Sequence, residues 1–126
     1  MAKVLETIDQ FWKARLDGDA AAIQALLAPE ATYTMAGHED FADKSARVAA
    51  SELIAAFQFH DREPLTEIVQ GLKVATVSRI EVSYRGGVPV TSEVCDLWEF
   101  DGEGKITSLK QFADTDLVRR MMSGQI

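Results

Sequence analysis

The chain has 126 residues, 47% hydrophobic and 26% charged, which is enough apolar material for one core and too little length for two domains. Its 13 Lys and Arg against 20 Asp and Glu leave a formal net charge of −7, which repels phosphate backbones and anionic lipid and argues against nucleic-acid or membrane-surface partners. A single cysteine, Cys95, rules out an internal disulfide framework, and no apolar run approaches the ~20 residues that span a bilayer. The N-terminal residues are amphipathic and carry acids, unlike a signal peptide, so a cytoplasmic location is expected.

In chain order, Val4, Leu5, Ile8, Phe11, Trp12 and Leu16 recur at helical spacing and predict a first helix with one apolar stripe. Gly18 suits the left-handed position that ends it, and Asp19 is placed to cap the next N-terminus. Ile23, Leu26 and Leu27 carry a short second helix, closed by Pro29. Ala31 to Ala36 reads as a short strand, with Thr32, Tyr33 and Thr34 favouring pleated structure, and Gly37 to Asp40 as a loop. Asp43 is expected to cap a third helix burying Ala46, Ala50, Leu53, Ile54 and Phe57, followed by a polar, irregular segment from Gln58 to Pro64.

Strand signals dominate from there. Leu65 to Val69 is one strand and Val74 to Tyr84 a second, with Ile80, Val82 and Tyr84 alternating against polar neighbours. Arg85-Gly86-Gly87 turns the chain, Val88 to Phe100 forms a third long strand, and Asp101 to Gly104 is another hairpin turn. Lys105 to Ala113 returns along it, and Thr115 opens a terminal helix ending near Met122. Helices grouped ahead of an antiparallel meander define an α+β class: a curved antiparallel sheet packed on N-terminal helices, closing a cone around an apolar pocket.

The element order, the strings Gly18-Asp19, Ile23 to Leu27 and Glu30-Ala31-Thr32, and above all Cys95-Asp96-Leu97-Trp98-Glu99-Phe100-Asp101-Gly102-Glu103-Gly104-Lys105-Ile106 resemble the nuclear transport factor 2-like superfamily, in its SnoaL-like and ketosteroid-isomerase-like branch. The resemblance spans nearly the whole chain as one SnoaL-like domain over residues 1–126, with a cystatin-like fold. Ketosteroid isomerase combines a carboxylate base with an oxyanion hole built from a tyrosine and a protonated aspartic acid. Carried across, the protonated acid falls on Asp96, the first-helix tyrosine on Trp12, and the first-strand base near Met35, which accepts no proton. One role of three is retained, so steroid isomerisation is not implied. The carboxylate–arginine–carboxylate set of limonene epoxide hydrolases finds no match.

Alternation singles out Asp96 independently. Val90, Ser92, Val94, Asp96, Trp98 and Phe100 share one strand face, and a carboxylate among such neighbours must either gain a cation or shift its pKa upward. It is thus either a proton donor at a site or half of a structural ion pair. Tyr33 and Met35 share a face of the first strand, which the resemblance implies looks into the cone, where the Tyr33 hydroxyl is a candidate donor, and His38, just after that strand, is a candidate base or a solvated loop residue. Trp12, Met35, Phe57, Val94, Trp98 and Gln111 are candidate pocket walls, although Ile106, Ser108, Lys110 and Phe112 compete with Thr107, Leu109, Gln111 and Ala113 for the inner face of the last strand. His38, His60 and Cys95 lack metal-ligand spacing, so neither metal nor cofactor is expected.

Two readings follow. The first is an enzyme that isomerises, cyclises or hydrates a small apolar carbonyl compound or epoxide, with Asp96, Tyr33 and His38 as its catalytic groups. The second is a dimeric module that binds an apolar metabolite without turning it over. A homodimer through the outer sheet face is expected in both, because Cys95, Leu97 and one of Ile106 or Leu109 make that face apolar.

Overall fold

The computed structural model describes residues 2–38 and 42–126. Helix α1 (Ala2–Asp17) ends where Gly18 takes φ +68° and Asp19 N–H bonds the Ala14 carbonyl at 2.9 Å. The Asp19 carboxylate then accepts from Ala22 N–H at 3.0 Å and caps α2 (Ala20–Leu26), as anticipated. That helix stops before Pro29 is reached, because strand β1 (Leu27–Met35) starts four residues earlier than the sequence pattern suggests and takes Pro29 into its exposed stretch. The predicted loop over Gly37 to Asp40 lies partly outside the described residues.

A two-residue strand β2 (Lys44–Ser45) precedes α3 (Ala46–Ala56), which Asp43 does not cap. Asp43 sits at φ +47° and exchanges hydrogen bonds with Thr34 instead, its N–H to Thr34 Oγ1 at 3.0 Å and its carboxylate receiving the Thr34 hydroxyl at 3.1 Å. Phe57 ends the helix and opens strand β3 (Phe57–Gln70), a single 14-residue strand over the segment expected to be irregular. Its composition misleads because β3 is a sheet edge. Charged residues, two bulges and Pro64 are tolerated where one row of backbone groups has no strand partner. His60, expected in a loop, lies in this strand with Nε2 2.8 Å from Ser83 Oγ.

Strands β4 (Lys73–Tyr84), β5 (Val90–Phe100) and β6 (Ile106–Phe112) complete the meander, and α4 (Thr115–Met122) follows, capped by Asp114 accepting from Leu117 N–H at 3.1 Å. The six strands run in the order β2-β1-β6-β5-β4-β3, antiparallel except for the parallel β1–β6 pair. The result is an α+β fold: a curved open sheet whose concave face packs on α1 and α3. The core joins Val4, Ile8, Phe11 and Trp12 of α1 to Val74, Ile80, Trp98, Phe100 and Leu109 of the sheet. Phe11 meets Trp98 edge-on at a centroid distance of 5.0 Å and Trp12 at 5.8 Å, the geometry aromatic quadrupoles favour.

The stripe on α1 is displaced from the expected one at its end. Leu16 is 39% exposed, and Arg15 is buried in its place at 8%. The ambiguity in β6 also resolves. Leu109 and Gln111 point inward, and Ile106 is buried as well because the ladder shifts register between Glu99 and Phe100, resetting alternation at the start of the strand. Neither Ile106 nor Leu109 is therefore available to the outer sheet face. Leu97 and Phe112 are exposed there at 43% and 41%, and Ile68 of the edge strand, in the same transverse row as Leu97, at 62%.

Candidate functional site

Two small neighbouring cavities open between the concave sheet face and the helices, with volumes of about 50 and about 30 Å³. Arg15, Tyr33, Leu53 and Gln111 line both, so these side chains form the partition between them. The walls of the larger one are otherwise mostly apolar, from Met35, Phe57, Val94, Ile80 and Val82, and α4 closes its mouth through Leu117, Val118 and Met121. Of the expected wall residues, Met35, Phe57, Val94 and Gln111 are in place. Trp12 and Trp98 are not among the lining residues. Both are sealed in the core, with Trp98 Nε1 donating to Thr76 Oγ1 at 2.9 Å.

Sheet register explains how the polar groups meet. Thr76 pairs with Asp96, Asp96 with Gln111, and Gln111 with Met35, so one transverse row crosses β4, β5, β6 and β1 on the inner face. Tyr33 lies two residues before Met35, and its hydroxyl donates a short hydrogen bond to Gln111 Oε1. Burial pushes the Tyr33 phenol far above its ordinary range, so it stays protonated and acts as a donor.

Asp96 is fully buried, as alternation indicated, and neither carboxyl oxygen makes a hydrogen bond of ordinary geometry. Burial raises its pKa from 3.8 to about 7, partly offset by the Gln111 amide opposite it and by the Arg62 guanidinium. Proximity of Gln111 is enough to favour the charged form without closing a bond. Asp96 does not line either cavity. Gln111, its cross-strand partner, lines both cavities.

Arg62 reaches inward from the edge strand with its side chain 6% exposed, donating from Nε to Ser78 Oγ at 3.0 Å and lying over the Trp12 ring at 5.4 Å. It approaches Asp9 at 3.5 Å, a contact at the solvent margin. Arg15 is the functional candidate that sequence reasoning passed over. Its guanidinium stacks on Phe59 at 4.4 Å, and burial lowers its pKa to about 10, which leaves it charged at neutral pH. The signal was available: position 15 follows Ile8, Phe11 and Trp12 at helical spacing, so a charge there falls on the buried face.

His38 does not join this group. It lies after β1 in an open depression with Gly37, Thr115, Asp116, Arg119 and Met122, on the far side of α4 from the cavity lining. No group of three or more His, Cys, Asp or Glu able to hold a metal ion occurs among the described residues. No described helix is long and apolar enough to cross a membrane.

Comparison with known proteins places this architecture. No curated protein matches the sequence. Among solved structures, an M. tuberculosis LEH-like epoxide hydrolase superposes with a TM-score of 0.76 at 18% identity, over 98% of this chain and 92% of that one. TerC, co-crystallised with polyporic acid, superposes with a TM-score of 0.75 at 19% identity, over 96% of this chain and 98% of that one. An NTF2-like protein from Burkholderia thailandensis E264 gives 0.72 at 24% identity, over 94% and 96%. At these identities the likeness establishes the shared fold. The model of the SnoaL-like domain matches residues 8–109, which is most of the chain, and this protein therefore belongs to the SnoaL-like family within the NTF2-like fold.

Proposed function

We propose that the cavity binds a small, mainly apolar compound bearing a carbonyl or epoxide oxygen and that the protein isomerises, cyclises or hydrates it by acid–base chemistry. The observation that carries this reading is a mostly apolar enclosure in which Arg15, Tyr33 and Gln111 line both cavities, with Ser92 and Asp114 as the further polar residues of the larger one. Sparse, fixed polar groups in an apolar pocket orient a ligand rather than solvate it. Arg15 is a donor for an oxygen that gains negative charge during reaction, the arrangement through which electrostatic stabilisation lowers a barrier, while the Tyr33 hydroxyl donates to Gln111 and fixes that side chain. Asp96 supplies a buried titratable carboxyl beside Gln111 on the adjacent strand. The epoxide-hydrolase neighbour and the polyporic-acid complex of TerC are in keeping with this substrate class.

A second reading, binding without turnover, is favoured by one observation. Met35 stands where the ketosteroid-isomerase-like base would be, and Asp96 is buried and does not line the cavity. Incubation with a panel of cyclic enones, quinones and epoxides separates the two, with binding followed by thermal shift and conversion by mass spectrometry. Stabilisation together with product formation supports catalysis. Stabilisation without conversion across the panel supports the binding module, and no stabilisation by any apolar compound removes both.

A further inference from the structure

Arg15 is a buried cation with no counter-ion among the described residues. Its Nη1 is sealed from solvent and makes no hydrogen bond, and no carboxylate among the described residues forms an ion pair with it. The buried carboxyl, Asp96, is influenced by Arg62 and not by Arg15. An isolated interior charge is unfavourable unless something pairs with it, and a guanidinium is shaped to receive two oxygens of one carboxylate. Both cavities abut this group.

Resting on the reading of the cavity as a ligand site, we propose that its ligand is a small apolar carboxylate, a cyclic or aromatic acid whose carboxylate seats on Arg15 and whose hydrocarbon body lies against Met35, Phe57 and Val94. A carboxylate group is little larger than the about 30 Å³ that one water occupies, so the anionic end fits the existing space of about 50 Å³. The body requires more room. Met35 and Met121, unbranched and flexible, are the walls best able to repack around it. The chain's net charge of −7 opposes indiscriminate anion binding, so an acid that binds here does so through a local partner.

The test compares acids with neutral isosteres on the whole chain by thermal shift and titration calorimetry. Suitable pairs are benzoate with benzamide, 2-naphthoate with 2-acetylnaphthalene, and cyclohexanecarboxylate with cyclohexyl methyl ketone. The expected result is at least tenfold tighter binding of the acid in a pair, with the preference abolished in Arg15→Met, which removes the charge and keeps a long apolar side chain. Arg15→Lys, which retains charge without the planar fork, should keep a reduced preference and serves if the Met variant does not fold. Neutral ketones binding as tightly as the acids would overturn the carboxylate assignment and leave the apolar-ligand reading standing. A preference that survives in Arg15→Met would also overturn it. Silence from every compound, charged and neutral, would remove both.

Discussion

Replacing Asp96 with Asn holds the shape of the side chain and removes its ability to ionise. Burial lifts the folded-state pKa to about 7 from 3.8, so the folded protein keeps a proton that the unfolded chain has already released across that interval. The contribution to stability is fully present below the unfolded value and is lost as pH rises to the folded one, after which it stays constant. At ~1.36 kcal/mol per pH unit, the whole interval amounts to about 4 kcal/mol, and the part between about pH 4.5 and 7.5 to about 3 kcal/mol. The Asn variant does not take part in this loss. Its stability minus that of the wild type should therefore rise by about 3 kcal/mol from pH 4.5 to pH 7.5, whatever constant offset the new amide hydrogens introduce. Urea denaturation of both proteins at half-unit pH steps measures the difference directly, with other titrating groups cancelling. A difference that stays flat and small would mean that the carboxyl titrates normally. A difference that stays flat with the variant about 3–5 kcal/mol less stable throughout would make Asp96 the ionised half of a structural pair with Arg62, whose pH dependence lies below the unfolded pKa.

Thr76→Val leaves Trp98 Nε1 buried without its acceptor and should cost about 1–3 kcal/mol by chemical denaturation, although the replacement is close in volume. Gly37→Ala meets two obstacles, a φ of +82° and a Cβ placed 3.0 Å from Thr115 Cγ2, so it should destabilise by about 1 kcal/mol or more and loosen the start of α4, as read by amide exchange over Thr115–Met122. We propose a homodimer through the outer sheet face, where Leu97 and Phe112 are exposed. Light scattering should give twice the 13.9 kDa chain mass at micromolar concentration and a monomer for Leu97→Lys; a monomeric wild type removes the proposal.

Strand β5 was legible because its outer residues, Thr91, Glu93 and Glu99, are polar enough to keep a period of two, which placed Asp96 inside without any tertiary information. The same held for the Gly18-Asp19 break and the Asp101 hairpin, whose side chain takes N–H groups of Glu103 and Lys105 at 3.0 and 2.9 Å, because both depend on contacts within a few residues. What required the folded chain was of another kind. The edge position of β3 licenses charges and a proline that look like loop, and the register shift in β6 brings Ile106 and Leu109 to the same side against simple alternation. Asp96 was expected to face a ligand directly. That depended on the neighbouring strand, where Gln111 occupies the paired position and lines the cavity while Asp96 does not. Arg15 could be placed on the buried face of α1 by spacing alone, but that no described residue pairs with it as counter-ion depends on every element packed around it. Periodicity tells which way a side chain points, while what it meets there is set by residues distant in the chain.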